Sequence, residues 1–297
     1  MPTASDSAAP RSRGAALRRL AAEGTFAIPG APIALAAKLI EREGFDAVYL
    51  SGAAFSAGIL GVPDIGLLTL DELVAQTRLL AAAVEIPLVV DADTGFGGPD
   101  AVADCVRRLE EAGAAAIQLE DQRRSKRCGH LPGKEIVDVD EMTAKIAAAG
   151  AARRDPATVI IGRSDARGVT TLDDCIARLE AYRDAGADWL FPEALATRDE
   201  FARVGRVFSG TPLIANMTEF GTSPLLTLEE LSDLGFAAVL YPVTLLRLAM
   251  KAIEAGLGLI ADEGTQAGLL DLMQSREELY DLLDYDPQHP ERHLPAT

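Results

Sequence analysis

The sequence predicts a single (β/α)₈ barrel of the TIM type, with extra helices at its carboxyl terminus. Eight short apolar runs alternate with amphipathic helical stretches along the chain, which is the sequence form of this fold. Most runs are continuously apolar rather than alternating, as expected of strands buried on both faces. No Gly-x-Gly-x-x-Gly follows the first run, so the commonest reason to prefer a doubly wound open sheet is missing.

The predicted elements follow one another in regular alternation. Strands are predicted over 25–29, 47–51, 88–92, 116–120, 159–163, 189–193, 213–217 and 237–241. Helices between them are predicted over 33–43, 70–84, 101–112, 141–152, 172–185, 198–207 and 227–234. Several helices are followed by glycine just before the next strand, as at Gly44, Gly113, Gly186 and Gly235, where glycine is the usual left-handed helix stop.

The chain is predicted to fold as one domain. No Pro/Gly/Ser-rich linker divides it, so we assign the barrel with its carboxyl-terminal helices to residues 20–286, with flexible tails at 1–19 and 287–297. An apolar helix over 244–260 and a further segment over 264–274 exceed what an eighth barrel helix requires. We expect this surplus to pack on the barrel or on a neighbouring subunit.

Composition excludes several classes of function. The net charge of −17 over 297 residues argues against nucleic acid or an anionic membrane as a partner, because both need a basic face. No apolar run reaches the roughly 20 residues that cross a bilayer, and no secretory signal precedes the first helix. The three cysteines, Cys105, Cys128 and Cys175, are widely spaced, which is typical of a reducing cytoplasm.

Polar residues follow nearly every predicted strand at its carboxyl end, where barrel enzymes have their active sites. They are Ser51, which Gly52 follows, and Asp64, Asp91, Asp93, Glu120, Asp121, Arg163, Asp165, Glu193, Asn216 and Thr218. Carboxylates from several strands repel one another unless a cation lies among them, and Mg²⁺ with oxygen ligands fits this need. Taken singly, one of Asp91 and Asp93 could simply cap the next helix, and Glu120-Asp121 could be a solvated loop pair.

The segment Lys126-Arg127-Cys128-Gly129-His130 follows the fourth predicted strand. A thiol beside two cations and a histidine is expected to have a lowered pKa, which suits a proton donor or a nucleophile. No orienting Asn or Asp is evident for a cysteine protease. Beside a metal-binding carboxylate cluster, a role for Cys128 as an acid is the more coherent interpretation.

These blocks resemble the isocitrate lyase/phosphoenolpyruvate mutase superfamily over roughly residues 20–286. The Lys-Arg-Cys-Gly-His segment is similar to its catalytic signature, and the blocks at 49–52, 91–97, 120–122 and 162–166 match its other motifs in order. The stretches at 191–194, 216–225, 263–266 and 273–280 resemble the branch whose members cleave 2-methylisocitrate in propionate catabolism by the methylcitrate cycle. The chain departs from the family at Ala53, Ala54, Thr222 and Ser223, which affects fine contacts to substrate carboxylates.

The resemblance implies retro-aldol cleavage of a 2-hydroxy acid with Mg²⁺, or Mn²⁺ as a substitute. It implies metal binding by Asp91 and Asp93, helped by Asp64 and Glu120. It implies catalytic roles for Cys128 as acid, Tyr49 as a candidate base with Arg163, and Lys126 and His130 beside them. Substrate contacts are expected from Ser51, Gly52, Ala53, Gly129, His130, Glu193, Asn216, Thr218 and Ser223, and a pocket for the extra methyl group from Phe191, Leu240 and Pro242.

The resemblance also implies a homotetramer whose subunits exchange a carboxyl-terminal helix, acting on a small di- or tricarboxylate in the cytoplasm. Three alternatives stay open at this point. The first is another carbon–carbon lyase or hydrolase of the superfamily, such as one acting on 2,3-dimethylmalate. The second is a phosphonate mutase, and the third is a non-catalytic binding barrel, which the Lys126–His130 segment disfavours.

Overall fold

The computed structural model describes residues 12–123, 126–127, 129–130 and 133–293, and has an α/β fold built on parallel strands. The strands are β1 (Phe26–Pro29), β2 (Val48–Leu50), β3 (Leu88–Asp91), β4 (Ala116–Glu120), β5 (Val159–Ser164), β6 (Trp189–Pro192), β7 (Ile214–Asn216) and β8 (Ala238–Tyr241). All eight predicted strands are confirmed, and their bounds agree within one residue.

Two parallel sheets contain these strands. One has the order β2-β3-β4-β5-β6 and the other the order β1-β8-β7. Isolated parallel bridges pair Gly30 with Tyr49 and Leu190 with Leu213, so the edges of the two sheets are in hydrogen-bonding contact. Because all strands run in the same direction, their carboxyl ends lie on one side of the sheets.

The helices are α1 (Arg13–Glu23), α2 (Ala34–Arg42), α3 (Gly52–Phe55), α4 (Leu70–Ala83), α5 (Pro99–Glu111), α6 (Val139–Ala152), α7 (Leu172–Asp184), α8 (Arg198–Val207), α9 (Leu228–Asp233), α10 (Thr244–Glu263) and α11 (Arg276–Leu282). The seven helices predicted between strands are confirmed as α2 and α4 to α9. Capping boxes start α4 at Thr69 and α9 at Thr227, because each hydroxyl binds a backbone amide that the first turn leaves unpaired.

Both faces of the strands are buried, which explains their continuously apolar sequences. One set of alternate strand residues forms a core cluster of its own with Leu17, and it includes Phe26, Ile28, Tyr49, Val89, Ile161, Trp189, Phe191, Ile214 and Leu240. The intervening residues, such as Val48, Val90 and Ile160, belong to a second cluster with the helices. The period of two along each strand therefore separates two apolar layers.

Helix α1 occupies part of the predicted amino-terminal tail. Leu17 is fully buried against the strand residues, and Arg13 Nη2 donates to the carbonyl oxygens of Ala81 and Val84 at 2.8 Å each. Arg18 pairs with Asp188 at 2.8 Å. The prediction of a flexible tail is therefore wrong for residues 13–19. The helix has little amphipathic signal, since it is anchored by one leucine and by arginine bonds to main-chain oxygens.

The chain divides into two compact units, Met1–Leu245 and Leu246–Thr297. The first contains all eight strands. The second contains most of α10 and all of α11, and its Tyr280 and Tyr285 rings meet edge to face at 4.9 Å between centroids. Helix α10 exposes Leu248, Met250, Ile253, Leu257 and Ile260. The helix predicted over 244–260 is confirmed, and the assignment of residues 20–286 to one domain stays a prediction.

Within the described ranges, no helix is both long and apolar enough to cross a membrane.

Candidate active site

The carboxyl ends of the strands bring most of the predicted site residues together. Asp91 ends β3, Glu120 ends β4, Asn216 ends β7, and Glu193 follows β6 directly. Arg163 lies one residue before the end of β5. Cys128, the predicted acid, lies outside the described residues.

Three carboxylates are buried in one group. Asp91, Asp93 and Glu120 are only 2–6% exposed. Lys126 Nζ contacts both Asp93 Oδ1 and, at 2.7 Å, Asp64 Oδ1. Burial raises the pKa of Asp93 to about 7 against the opposing effect of Lys126, and burial likewise raises the pKa of Glu120. Ionising the whole group therefore requires more positive charge than the Lys126 ammonium supplies.

Gln118, which the sequence analysis missed, links two predicted site residues. Tyr49 Oη donates to Gln118 Oε1 at 2.9 Å, and Gln118 Nε2 donates to Asp91 Oδ1 at 3.2 Å. The Gly52 amide donates to the other oxygen, Oδ2, of Asp91 at 3.2 Å. Burial, followed by the charge of Asp91, raises the pKa of Tyr49 well above its usual value. The phenol is therefore a hydrogen-bond donor here, and its role as a base stays a prediction.

Arg163 joins the carboxylate group to a second cluster. Its Nε lies 3.0 Å from Asp165 Oδ2 and 3.4 Å from Glu120 Oε2, and its Nη1 lies 3.6 Å from Glu193 Oε2. Burial opposes its charge, but these three carboxylates hold the pKa of the guanidinium well above its usual range. The guanidinium also stacks over the Phe191 ring, 5.1 Å from its centroid. Arg163 is thus a fixed cation with little freedom to turn.

Glu193 is the centre of the second cluster. His130 Nε2 lies 2.8 Å from its Oε1, and Asn216 Nδ2 donates to both of its oxygens at 3.2 and 3.3 Å. The Thr222 amide donates to His130 Nδ1 at 3.0 Å, so the proton of the neutral imidazole is on Nε2, facing Glu193. Burial disfavours ionisation, but Arg163 and His130 together lower the pKa of Glu193 to about 2.

The remaining predicted substrate residues lie at different depths. Ser51 is buried and its hydroxyl accepts from the Ala54 amide, so it caps α3. Phe191 and Leu240 are buried in the strand core, where Phe191 supports Arg163. Thr218 is buried after β7, whereas Ser223 is half-buried in the same loop. The methyl pocket formed by Phe191, Leu240 and Pro242 stays a prediction.

Two residues after strand ends have left-handed backbones although they are not glycine. Asp93 has φ 50° after β3, and Ala194 has φ 58° after β6. Such conformations are costly for residues with a Cβ and concentrate at functional sites. They mark the same edge of the sheets as the charged clusters do.

The carboxylate oxygens of this group are of the kind that binds a hard divalent cation. Their present positions do not form a complete set of metal ligands. Carboxylate oxygens are the ligands that Mg²⁺ prefers. Glu120 Oε1 is buried without a hydrogen-bond partner among the described residues, so it is available to a cation. In the part of the chain that is described, no three His, Cys, Asp or Glu side chains form a ready ligand set. Lys126, which bridges Asp64 and Asp93, occupies two of the donors.

Comparison with known proteins gives a consistent family match. The phosphoenolpyruvate phosphomutase family matches residues 17–261. The chain is 50% identical over 283 residues to "Probable 2-methylisocitrate lyase 2" of Corynebacterium glutamicum, covering 95% of this chain and 92% of that protein. It is 46% identical over 258 residues to 2-methylisocitrate lyase of Bacillus subtilis, covering 87% and 84%. The solved phosphonopyruvate hydrolase complex with oxalate and Mg²⁺ superposes with a TM-score of 0.83 at 32% identity, covering 95% and 96%.

Proposed function

Since the chain belongs to the phosphoenolpyruvate phosphomutase family, we propose that it is a carbon–carbon lyase that cleaves 2-methylisocitrate to pyruvate and succinate. One observation carries the proposal. A buried carboxylate group and a cluster of hydrogen-bond donors lie side by side at the strand ends, joined by the 3.4 Å contact between Arg163 and Glu120. A tricarboxylate that bears a hydroxyl group needs both kinds of partner.

Asp91, Asp93 and Glu120, with Asp64, would hold Mg²⁺, with Mn²⁺ as a substitute. When bound, the ion supplies stabilisation of the negative charge that develops on the substrate oxygen. Gln118 and the Gly52 amide keep Asp91 in its orientation. Lys126 would have to turn away from Asp93 to free that carboxylate for the ion.

The proton steps are assigned to this chain's own residues. A base removes the hydroxyl proton on C2, the C2–C3 bond breaks to give pyruvate, and the electron pair remains on C3. Tyr49 is our candidate base, and it would need a cation nearby to become ionised. Cys128 returns a proton to C3, which completes succinate. Arg163 stabilises the charge that exists only while the bond breaks.

Donors on the opposite side of the site would hold the substrate carboxylates. We assign this to the main chain near Ser51, Gly52, Ala53 and Gly129 and to the side chains of His130, Asn216, Thr218 and Ser223. The Asn216 amide donates to Glu193, and His130 Nε2 lies 2.8 Å from Glu193 Oε1 without hydrogen-bond geometry, so Glu193 orients the Asn216 donor before substrate arrives. Such preorganised donors avoid reorganisation during the reaction.

The acid that is cleaved is tested by release of the 2-oxo acid, which is pyruvate from 2-methylisocitrate and from 2,3-dimethylmalate but glyoxylate from isocitrate. We expect kcat/KM for 2-methylisocitrate to exceed that for isocitrate by about 10–200-fold, because one buried methyl group contributes about this much. The assay uses 2,3-dimethylmalate as the third acid and a phosphonate substrate to detect phosphorus-linked products. A higher kcat/KM on either of these would replace the assignment with a related lyase or a phosphonate mutase.

Removal of divalent cations should abolish activity. The carboxylate group at the ends of β3 and β4 has Lys126 and Arg163 as its described neighbouring cations, which leaves negative charge uncompensated. Exhaustive chelation followed by re-addition of Mg²⁺ should remove and restore pyruvate release. Full activity after chelation, with metal content verified by elemental analysis, would contradict the metal assignment.

We further propose a closed barrel and a homotetramer that exchanges α10 and α11 between subunits. The bridges Gly30–Tyr49 and Leu190–Leu213 support closure, and the exposed apolar side chains of α10 support association. Light scattering at micromolar concentration should give the mass of four chains. Leu248→Glu with Leu257→Glu should lower this mass, whereas Leu79→Glu, at an exposed leucine of α4, should not. A monomeric wild-type protein would refute the oligomer.

The cytoplasm stays our proposed location, on the evidence of the cysteines. Cys105 and Cys175 are buried and free, and burial raises the pKa of each thiol to about 12.

A further inference from the structure

A buried lysine outside the predicted site lies next to the acidic partner of Arg163. The Lys134 side chain is 1% exposed. Its Nζ donates to Asp165 Oδ1 at 2.7 Å and to the Gly129 carbonyl oxygen at 2.5 Å, with the Asp165 carbonyl oxygen at 3.5 Å. Lysine is almost never fully buried unless it is paired. The buried Lys134 ammonium is therefore paired with one carboxylate, that of Asp165.

Asp165 is shared between two cations. Arg163 Nε donates to its Oδ2 at 3.0 Å, and Arg163 Nη2 lies 3.3 Å from Oδ1, the oxygen that also receives Lys134. The carboxylate is itself fixed, because its residue is fully buried and its backbone amide donates to Asp121 Oδ1 at 2.8 Å. A change of charge at Lys134 is thus transmitted to Arg163 through one rigid carboxylate.

The backbone leaves room for both cations. A Cβ on Gly168 would lie 3.0 Å from Lys134 Nζ, and a Cβ on Gly129 would overlap the Arg163 guanidinium and lie 2.6 Å from Glu193 Oε1. Gly129 therefore touches Arg163 from one side while its carbonyl oxygen receives Lys134. The lysine, the glycine and the arginine form one packed unit around Asp165.

We propose that Lys134 is a positioning residue that acts through Asp165 on Arg163. With Lys134 present, two cations face three carboxylates, namely Asp165, Glu120 and Glu193. Without it, Arg163 alone faces all three, and Asp165 competes with the substrate carboxylate for the guanidinium. The inference rests on the proposed function in one respect, namely that Arg163 contacts an anionic substrate.

The test is a double-mutant cycle on the full-length enzyme with Mg²⁺. Lys134→Met keeps most of the side-chain volume and removes the charge, and it should lower kcat/KM at least about 30-fold, since breaking a buried ion pair has a large effect. Adding Asp165→Asn removes the uncompensated carboxylate. The double variant should regain at least about tenfold over Lys134→Met, as expected for directly coupled residues.

A matched control separates positioning from simple loss of a buried charge. Lys145 is also buried, but its partner at 3.0 Å is Glu141 on the same helix, α6, away from the strand ends. Lys145→Met should stay within about twofold of wild-type kcat/KM, because surface-directed helix pairs contribute little. Circular dichroism and thermal unfolding verify that each variant is folded at the assay temperature.

A binding measurement keeps the inference testable without turnover. Oxalate is a small dianion that serves as the probe in calorimetric titration with Mg²⁺ present. Its Kd should rise at least about tenfold in Lys134→Met and fall back in the double variant, in parallel with the coupling seen in kcat/KM. If wild type cleaves none of the three acids, the proposed function fails, and the oxalate cycle still tests Lys134.

Two results would overturn the inference. One is a folded Lys134→Met enzyme that keeps more than about a third of wild-type kcat/KM and oxalate affinity. The other is a double variant as impaired as Lys134→Met. If Lys134→Met does not fold, Asp165→Asn is compared with the double variant. Removing Lys134 in the Asp165→Asn background should then lower kcat/KM by less than about threefold, because the Asp165 carboxylate through which Lys134 acts is already absent. A larger loss contradicts the inference.

Discussion

Cys128→Ser is expected to lower kcat on 2-methylisocitrate by about 10²–10⁴-fold, the range for loss of a general acid, while KM changes little. The thiol lies in sequence between Lys126 and His130, both of which belong to the clusters at the strand ends. A hydroxyl has nearly the same size but is a far weaker acid. Steady-state pyruvate release gives kcat, and calorimetry with succinate tests whether binding persists.

The other two cysteines provide the control. Cys105 and Cys175 lie in α5 and α7, in the apolar layer between strands and helices. Cys105→Ala should keep kcat within about twofold, because a small core substitution changes stability rather than chemistry. A Cys128→Ser enzyme that retains more than about a tenth of the wild-type kcat would exclude the acid role.

Arg163→Gln should reduce both activity and stability. Loss of the guanidinium leaves Glu120, Asp165 and Glu193 buried beside one another, which is expected to cost about 3–5 kcal/mol in the free energy of unfolding. It also removes the charge that we propose stabilises the bond-breaking step, so kcat/KM should fall by about 10²–10³-fold. Denaturant unfolding and pyruvate release measure the two effects on the same preparation.

A second arginine distinguishes the two effects of this substitution. Arg153 pairs with Asp188 at 2.5 Å next to the amino end of β5, on the opposite side of the sheets from the site. Arg153→Gln should lower stability by a smaller amount and leave kcat/KM within about twofold, because the pair is partly exposed. Equal losses of kcat/KM in both variants would mean that Arg163 acts only through folding.

The strands were predictable because strands that are buried on both faces have continuously apolar sequences. The helices between them were predictable for a similar reason, since their apolar residues recur with the helical period. Helix α1 was not, because its anchor is Leu17 together with arginine bonds to main-chain oxygens of Ala81 and Val84. Bonds to the distant main chain have no sequence pattern.

The sequence was enough to predict which charged residues belong to the candidate site. It was not enough to predict the hydrogen bonds that link them. Charged residues after successive parallel strands must meet at one edge, so Asp91, Glu120, Arg163 and Glu193 could be grouped without a structure. Gln118 was missed because a single polar residue inside an apolar strand gives no sign of its partners. Lys134 was missed because it precedes a helix by several residues and resembles an ordinary surface lysine.

The left-handed backbones at Asp93 and Ala194 have a consequence for how this enzyme tolerates change. A glycine at Ala194 or an asparagine at Asp93 would adopt the same conformation with less strain, and asparagine would also remove a charge from the interior. At both positions the chain has the residue with the greater backbone strain, beside the proposed active site. The residues that carry the proposed chemistry at this edge are therefore not those that would minimise backbone strain, which is a trade-off between activity and stability.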